Sequence, residues 1–281
     1  MKKVPLTFLL LLFFYGIKAQ SNFDRKNLLA WCVVPFDQLK RSPEARMDMF
    51  NRLGIHQYAY DWRNEHITTF AEEIDLARKN EIAIEGIWLW IDNKNDKIGS
   101  LSVDNEKIIE IANSKKLQTT YWIGFNYNFF EGLTHFEKVK KGADFLQYLE
   151  PKLKKVDSKI ALYNHGDWFG EPENQIEIIK ASGLKNIGIV YSFHHGHHQI
   201  NRFHSMFVTI KPYLVAVNLN GMDLKKGQIL TIGEGKSEQE MIEIIKKAGY
   251  KGRIGVLGHI MEEDVELVLQ RNMEGLAQIL K

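Results

Sequence analysis

The chain has 281 residues, of which 44% are hydrophobic and 26% are charged, an ordinary composition for a globular protein. Its formal net charge is +2, and three of its lysines lie within the first 18 residues, so the remainder of the chain is nearly neutral. This balance gives no electrostatic basis for binding nucleic acid or an anionic membrane.

Residues 1–20 have the pattern of a secretory signal peptide. A basic start precedes the almost wholly apolar run from Leu6 to Ile17, which is short for a membrane span, and Ala19 suits the position before a cleavage point. An uncleaved membrane anchor is the alternative, against which the short apolar core argues. We expect residues 21–281 to form a mature chain that is periplasmic or secreted and has no membrane segment.

Beyond this leader, short apolar runs alternate with amphipathic helical runs. The apolar runs are hydrophobic on both faces, as buried parallel strands are. The predicted strands are Leu28–Val34, His56–Tyr60, Ile82–Trp90, Gln118–Gly124, Lys159–Asn164, Asn186–Ser192, Tyr213–Leu219 and Arg253–Gly258. The predicted helices are Pro43–Leu53, Thr69–Asn80, Asp104–Lys115, Thr134–Lys154, Glu173–Ser182, Ile200–Ile210, Ser237–Ala248 and Glu262–Leu280.

Eight strands that alternate with eight helices predict an α/β fold, a single closed (β/α)₈ TIM barrel over residues 21–281. The competing fold is a doubly wound open sheet. That fold usually carries a glycine-rich phosphate-binding turn after its first strand, where this chain has PFDQLKRSP. The single cysteine, Cys32, cannot form an internal disulfide and is predicted to be a small buried hydrophobe within the first strand.

Polar clusters follow four of the later predicted strands. The carboxyl ends of barrel strands share one face, so we expect these clusters to meet at the barrel mouth. They are YNHGDWFGE at 163–171, YSFHHGHH at 191–198, NLNGM at 218–222, and His259. Imidazole nitrogen and carboxylate oxygen are normal ligands of Zn²⁺, Mn²⁺ or Co²⁺. The predicted metal ligands are His165, His195 and His259, with Glu171 as a fourth, unless Glu171 simply occupies a favourable helix N-terminus.

Proton transfer would need a base close to these ligands. Glu85 is a charge within an apolar strand and therefore needs a partner or a task. It is predicted to be a catalytic base at the barrel mouth, with His165 and His195 as the other catalytic candidates. The alternative for Glu85 is an ion pair with a basic group of a neighbouring strand.

Substrate contacts are predicted from further side chains near strand ends. Trp88 offers an aromatic face on which a sugar ring could lie, although ordinary packing also explains such a residue. Arg63 either contacts a ligand oxygen or pairs with Asp61. Asn218 and Asn220 share one face of a strand, and their amides could bind hydroxyl groups.

The motifs YNHGDWFGEPEN, HHGHH, KPYLVAVNLNGM and AGYKGRIGVLGH resemble those of the xylose-isomerase-like barrels, the sugar phosphate isomerases and epimerases, in an exported branch. The likeness spans nearly the whole mature chain. It implies a divalent metal that binds adjacent sugar oxygens during proton transfer through an enediolate. The family places Glu, Asp, His and Glu at the ends of later strands. Here those positions hold Tyr163, Ser192 (with His195 kept after it), Asn218 and Gly258-His259.

The predicted function is a carbohydrate-active isomerase or epimerase, or a keto-sugar lyase or hydratase, that uses metal-assisted proton transfer on an unphosphorylated small-molecule sugar. The replaced carboxylates leave a second hypothesis open, a non-catalytic sugar-binding barrel that has lost the usual metal site. Endonuclease chemistry on the same barrel is a third, against which export and the lack of a basic patch argue.

Overall fold

The computed structural model of the protein describes residues 21–224, 229–260 and 262–281. The predicted signal peptide, residues 1–20, lies outside these described residues. Within them, no helix combines the length and the apolar character that crossing a bilayer requires.

Eight parallel strands close into a barrel, in which each strand pairs with its sequence neighbours and the eighth pairs with the first. The strands are β1 (Leu28–Trp31), β2 (Gln57–Tyr60), β3 (Ala83–Ile91), β4 (Thr120–Phe125), β5 (Lys159–Tyr163), β6 (Ile187–Ser192), β7 (Leu214–Leu219) and β8 (Arg253–Leu257). Each overlaps one predicted strand. The predicted (β/α)₈ barrel is therefore confirmed.

Helices follow the strands and cover the outside of the barrel. They are α1 (Pro43–Leu53), α2 (Asn64–Ile67), α3 (Phe70–Lys79), α4 (Val103–Ser114), α5 (His135–Leu153), α6 (Pro172–Ser182), α7 (Phe203–Ile210), α8 (Glu238–Lys247) and α9 (Val265–Ile279). Helix α1 begins where the sequence predicts, because Ser42 Oγ accepts a hydrogen bond from the Ala45 N–H at 3.3 Å. The short helix α2 is the one that the sequence analysis did not predict.

The inside of the barrel is filled by large side chains that alternate with glycine on neighbouring strands. The rings of Trp88 and Trp122 pack edge to face with their centroids 4.4 Å apart. A Cβ at Gly86 would lie 2.6 Å from the Trp122 ring, and one at Gly124 would lie 2.4 Å from the Trp90 ring. Each glycine thus makes room for a tryptophan on the adjacent strand, which keeps the interior filled without overpacking.

The pairing of β1 with β2 is the shortest in the barrel. One pair of residues, Ala30 and Tyr58, is in register there, whereas β1 and β8 share four such pairs. Above this seam, the side chain of Asp61 accepts hydrogen bonds from the backbone N–H groups of Val33 and Val34, both at 3.2 Å. A side chain that follows β2 therefore holds the loop that follows β1.

Candidate active site at the barrel mouth

A cavity opens at the carboxyl ends of the strands, which we call the mouth cavity. Its walls come from strand ends and loops around much of the barrel. They are Trp31, Cys32, Phe36, Asp61, Arg63, Trp88, Trp90, Tyr163, His165, His194, His195, Leu257 and His259. The barrel thus brings together Arg63, Trp88, His165, His195 and His259, five of the predicted site residues, as the shared strand-end position requires.

Asp61 is the carboxylic acid of the mouth cavity. Its side chain follows β2 and is 3% exposed. Oδ1 accepts the two backbone hydrogen bonds described above, whereas the buried Oδ2 has no hydrogen-bond partner among the described residues. Burial raises the pKa of this carboxyl from its ordinary 3.8 to about 6, partly offset by the hydrogen bond from Val34 and the charge of Arg63. A carboxyl group with this pKa can both take and return a proton near neutral pH.

Arg63 and Cys32, two neighbours of Asp61, lie in different surroundings from those that the sequence predicted. Arg63 is exposed at the rim, where its guanidinium donates to the Trp62 carbonyl at 2.8 Å and lies 5.5 Å from the Phe36 ring centroid. It forms no ion pair with Asp61 within the described ranges. Cys32 does not continue β1 but follows it, half-buried, with a left-handed φ of 52°. Burial raises the pKa of its thiol well above its usual range, so the thiol stays neutral.

Histidines form a large part of the wall of the mouth cavity. The ring centroids of His165 and His195 are 4.5 Å apart, and those of His194 and His195 are 4.6 Å apart. Burial lowers the pKa of His165, lowers those of His194 and His259 to about 4, and lowers that of His195 to about 2. These imidazoles are therefore neutral at physiological pH.

Several ring nitrogens in this wall are buried and have no hydrogen-bond partner in residues 21–224, 229–260 and 262–281. They are Nδ1 of His165, Nδ1 of His194 and Nε2 of His259. Buried polar atoms in native proteins almost always have a hydrogen-bond partner. All three atoms belong to residues that line the mouth cavity, which makes the cavity the candidate ligand site.

The residues present do not fit the divalent metal that the resemblance implies. The carboxylate of Glu171 pairs with Arg202 and lies 2.7 Å from Nε2 of His198, at the N-terminus of α6. The His259 ring stacks on Phe36 with a centroid distance of 3.7 Å. Among the residues that the structure describes, no group of three or more His, Cys, Asp or Glu side chains could hold a metal ion. The predicted set of four ligands therefore does not converge.

Glu85 lies at the other end of the barrel. It is the third residue of the nine-residue strand β3, and its carboxylate forms an ion pair of 2.5 Å with Arg253, the first residue of β8. The same guanidinium donates to Gln57, the first residue of β2, at 2.5 Å. The prediction of a base at the mouth is corrected, because only the last residues of a strand reach that end. Glu85 forms the ion pair that the alternative predicted, but its partner lies on β8, three strands away around the barrel, and not on a neighbouring strand.

Two tryptophans of β3, Trp88 and Trp90, border the cavity where the sequence predicted one aromatic contact. Trp88 is 2% exposed and forms the floor. Trp90, two residues further along β3, is half-buried and meets the His165 ring edge to face at 4.7 Å. Trp90 is therefore the tryptophan of β3 with a face that remains open to a ligand.

Asn218 and Asn220 lie at the carboxyl end of β7 but do not border the mouth cavity. Both are fully buried. Within the part of the chain that the structure describes, the Asn218 amide has no hydrogen-bond partner on either atom, and a Cβ at Gly255 would lie 2.3 Å from its Oδ1. Asn220 donates to the Gly221 carbonyl at 2.8 Å. Their predicted role in substrate binding thus lacks direct access to the cavity.

Sequence reasoning missed Asp61 as a functional residue. The signal was present, because Asp61 directly follows the last residue of β2, Tyr60. The same rule identified the clusters after the later strands. His194, which was not among the predicted site residues, also borders the cavity beside His195.

The protein is therefore a (β/α)₈ barrel whose mouth cavity is lined by a buried carboxylic acid and several neutral histidines. No protein-family model matches the chain, and no curated protein is significantly similar to it in sequence. Solved structures, in contrast, match over nearly their whole length. The chain has the fold of the xylose-isomerase-like TIM barrels, so the resemblance carried by its motifs is confirmed at the level of the fold.

Three of these structures illustrate the likeness. The 3-keto-D-glucoside 4-epimerase YcjR from E. coli has a TM-score of 0.67 and 14% identity, with 90% of this chain and 98% of that chain covered. A D-psicose 3-epimerase solved in the presence of D-fructose has a TM-score of 0.65 and 12% identity, with 89% and 96% covered. A xylose isomerase-like TIM barrel protein from Mycobacterium smegmatis, in complex with magnesium, has a TM-score of 0.57 and 12% identity, with 93% and 98% covered.

Proposed function

We propose that the protein is a carbohydrate isomerase or epimerase that moves a proton at a carbon next to a sugar carbonyl. The observation that carries the proposal is the Asp61 carboxyl, which is buried in the mouth cavity with a pKa of about 6 and an unpartnered Oδ2. Two of the solved structures with this fold are epimerases by name, which supports the reaction class.

Asp61 is the base in this proposal. At neutral pH most of the carboxyl is ionised, and burial deprives the carboxylate of water, which strengthens its attraction for a proton. Oδ2 removes the proton from the carbon next to the carbonyl, and the electron pair moves onto the carbonyl oxygen to form an enediolate. Delivery of a proton from water to the opposite face of the same carbon inverts that carbon, and the proton held by Asp61 then leaves to solvent. Return of the Asp61 proton to the former carbonyl carbon, with transfer of the neighbouring hydroxyl proton to the former carbonyl oxygen, isomerises the sugar. Departure of a leaving group from the next carbon instead gives the elimination product.

The developing oxyanion needs hydrogen-bond donors that are already in place. His194 and His259 border the cavity with unpartnered nitrogens, and each can donate from that nitrogen in the tautomer that carries its proton there. Their lowered pKa values keep both imidazoles neutral, so they stabilise the oxyanion as neutral hydrogen-bond donors. Arg63 adds a fixed positive charge at the rim.

The sugar ring itself is held by aromatic surface. The half-buried face of Trp90 suits the apolar C–H face of a pyranose, and Trp88 closes the cavity below it. The hydroxyl groups of the sugar would then form their hydrogen bonds on the polar side of the cavity. This arrangement favours a neutral, polyhydroxylated substrate.

A divalent metal is the finer expectation of the family resemblance, and one structure with this fold was solved with magnesium. The four residues predicted to bind it here do not converge. In this proposal the groups that move the proton and hold the charge are therefore Asp61 and the histidines, and no step depends on a metal.

The second candidate function is a sugar-binding barrel without catalysis. It is favoured by the replacement of the family's Glu, Asp and His with Tyr163, Ser192 and Asn218. A binding protein would keep the aromatic surface and the hydrogen-bond donors. It would not move a proton, and that difference can be measured directly.

The test is incorporation of deuterium from D₂O into a panel of ketoses and 3-keto-sugars, followed by NMR against an enzyme-free sample. Wild-type protein should exchange the C–H next to the carbonyl, and Asp61→Asn should lower the rate by at least about 100-fold. Asp96→Asn is the matched control, because Asp96 is equally buried but accepts hydrogen bonds from Asp92, Ser102 and Asn105 outside the cavity. Sugar binding without exchange would establish the non-catalytic sugar-binding barrel. Exchange that a chelator abolishes would show that the reaction depends on a metal.

We also propose that the mature chain acts outside the cytoplasm, which rests on the pattern of residues 1–20. Export argues for an unphosphorylated sugar. N-terminal sequencing of the native protein should find a start near Gln20 or Ser21, and a retained Met1 on a cytoplasmic protein would contradict this.

A further inference from the structure

A second cavity adjoins the mouth cavity between the loops that follow β4, β5 and β6. We call it the outer groove. Its principal walls are Tyr127, Asp167, Trp168, His194, His195 and His198. His194 and His195 border both cavities, so a single molecule can occupy the mouth cavity and the outer groove at once.

The outer groove carries two aromatic side chains that are held in place. Trp168 donates from Nε1 to Nδ1 of His135 at 3.2 Å, and its ring centroid lies 5.3 Å from that of Phe130. Tyr127 is 64% exposed and lies 6.0 Å, centroid to centroid, from His165. An exposed aromatic ring that protein neighbours fix in orientation is a ready stacking surface for a flat or apolar ligand face.

A glycine allows this arrangement. Gly166 has a left-handed φ of 86°, and a Cβ there would lie 2.9 Å from the Tyr127 ring. Any other residue would be strained by the backbone conformation and would also displace the ring. The loop after β5 is therefore shaped around Tyr127.

The polar groups of the outer groove indicate a neutral ligand. Asp167 is exposed, and Glu171 borders the groove with its charge balanced by Arg202. An anionic ligand such as a phosphate would be repelled by Asp167. Carboxylates and imidazoles beside aromatic faces match a ring that has hydroxyl groups around its edge and C–H groups on its face.

We propose that the outer groove binds a second sugar unit, so that the substrate is a glycoside rather than a free monosaccharide. This inference rests on the proposed function for the mouth cavity. The mouth cavity measures about 140 Å³ and the outer groove about 570 Å³, so the reacting ring occupies the smaller space and its glycosyl partner the larger. The second ring lies against Tyr127 and Trp168, and its hydroxyl groups face Asp167 and His198.

The test compares deuterium exchange on 3-keto-D-glucose with that on the disaccharide 3-keto-cellobiose. Wild-type protein should have a higher kcat/KM for the disaccharide. Tyr127→Ala and Trp168→Ala should each reduce that preference by about threefold to tenfold, through KM, and leave the monosaccharide within about twofold. Leu267→Ala removes a similarly exposed side chain from α9 and should change neither value.

Two further measurements keep the inference separate from the proposed function. Thermal melts confirm that each variant is folded, and Tyr127→Ala, at an exposed position, covers the case in which Trp168→Ala unfolds. Equal kcat/KM for both sugars, unchanged by both variants, would overturn the second subsite while the proton-transfer function stands. If neither sugar exchanges, the proposed function fails, and calorimetric titration with cellobiose decides the groove: binding weakened by Tyr127→Ala supports it, and no binding at millimolar sugar overturns it.

Discussion

Replacing Asp61 with asparagine should make the protein more stable at neutral pH while it removes turnover. The change keeps the shape of the side chain, and the amide oxygen can still accept from the Val33 and Val34 N–H groups. What disappears is a buried negative charge. The pKa of Asp61 is raised from 3.8 to about 6, which corresponds to roughly 3 kcal/mol of folding free energy.

The sign follows from proton binding. Because the raised pKa means that the folded state binds the proton more tightly than the unfolded state does, wild-type stability falls as pH rises from about 3.8 to about 6. Above that window the loss is complete. Asp61→Asn lacks this loss, so its free energy of unfolding relative to wild type should rise through the window and level off roughly 3 kcal/mol higher than at the acid end.

The assay is urea unfolding of both proteins at a series of pH values from 4 to 8, with turnover measured on the same samples. Asp96→Asn serves again as the control for removing a buried carboxylate away from the cavity. A difference in unfolding free energy that does not change with pH would refute the buried, unpaired charge. Full turnover by a folded Asp61→Asn protein would refute its role as base.

Three other predictions follow from the same geometry. The rate of deuterium exchange, as kcat/KM, should fall below about pH 6 as Asp61 protonates, whereas His194 and His259, with pKa values of about 4, should cause no change near pH 6.5; a midpoint at 6.5 that survives Asp61→Glu would point to a histidine instead. Gly124→Ala places a methyl group 2.4 Å from the Trp90 ring and should destabilise the fold by about 1–3 kcal/mol, with a shift in tryptophan fluorescence and reduced turnover; unchanged fluorescence would contradict the packing. Glu85→Gln should keep turnover within about twofold and lower the unfolding free energy by less than about 1 kcal/mol, because its partner Arg253 is 42% exposed; a large loss of turnover would return Glu85 to the mechanism.

The sequence predicted the fold well because the barrel is built from local patterns. Runs of buried strand residues and amphipathic helices repeat in order, and Ser42-Pro43 gives a local start for α1. The departures are also local. Cys32 was placed inside a strand, but the chain turns there with a positive φ, which an apolar neighbourhood does not reveal. Helix α2 is a single turn, too short to show a helical period.

The site was harder to predict because its members depend on distant residues. The position of His165 and His195 follows from the strand ends, and they do meet. Glu171 was expected to turn inward, but Arg202, 31 residues later, takes its carboxylate. The high pKa of Asp61 results from burial beneath a loop that the sequence places 27 residues earlier. Spacing along the chain contains neither of these long-range contacts.

The two carboxylate oxygens of Asp61 have different roles, and this affects how relatives of this protein would diverge. Oδ1 accepts hydrogen bonds from the loop after β1 at the seam where β1 and β2 share a single pair, and Oδ2, unpaired among the described residues, is the oxygen proposed to take the proton. A lineage that abandoned catalysis would still need an acceptor at this seam, so drift there would stop at asparagine and not proceed to alanine or leucine. Among homologous barrels, aspartate at this position would mark active enzymes, and asparagine would mark descendants that only bind the sugar. The structure of the barrel would be the same in both groups.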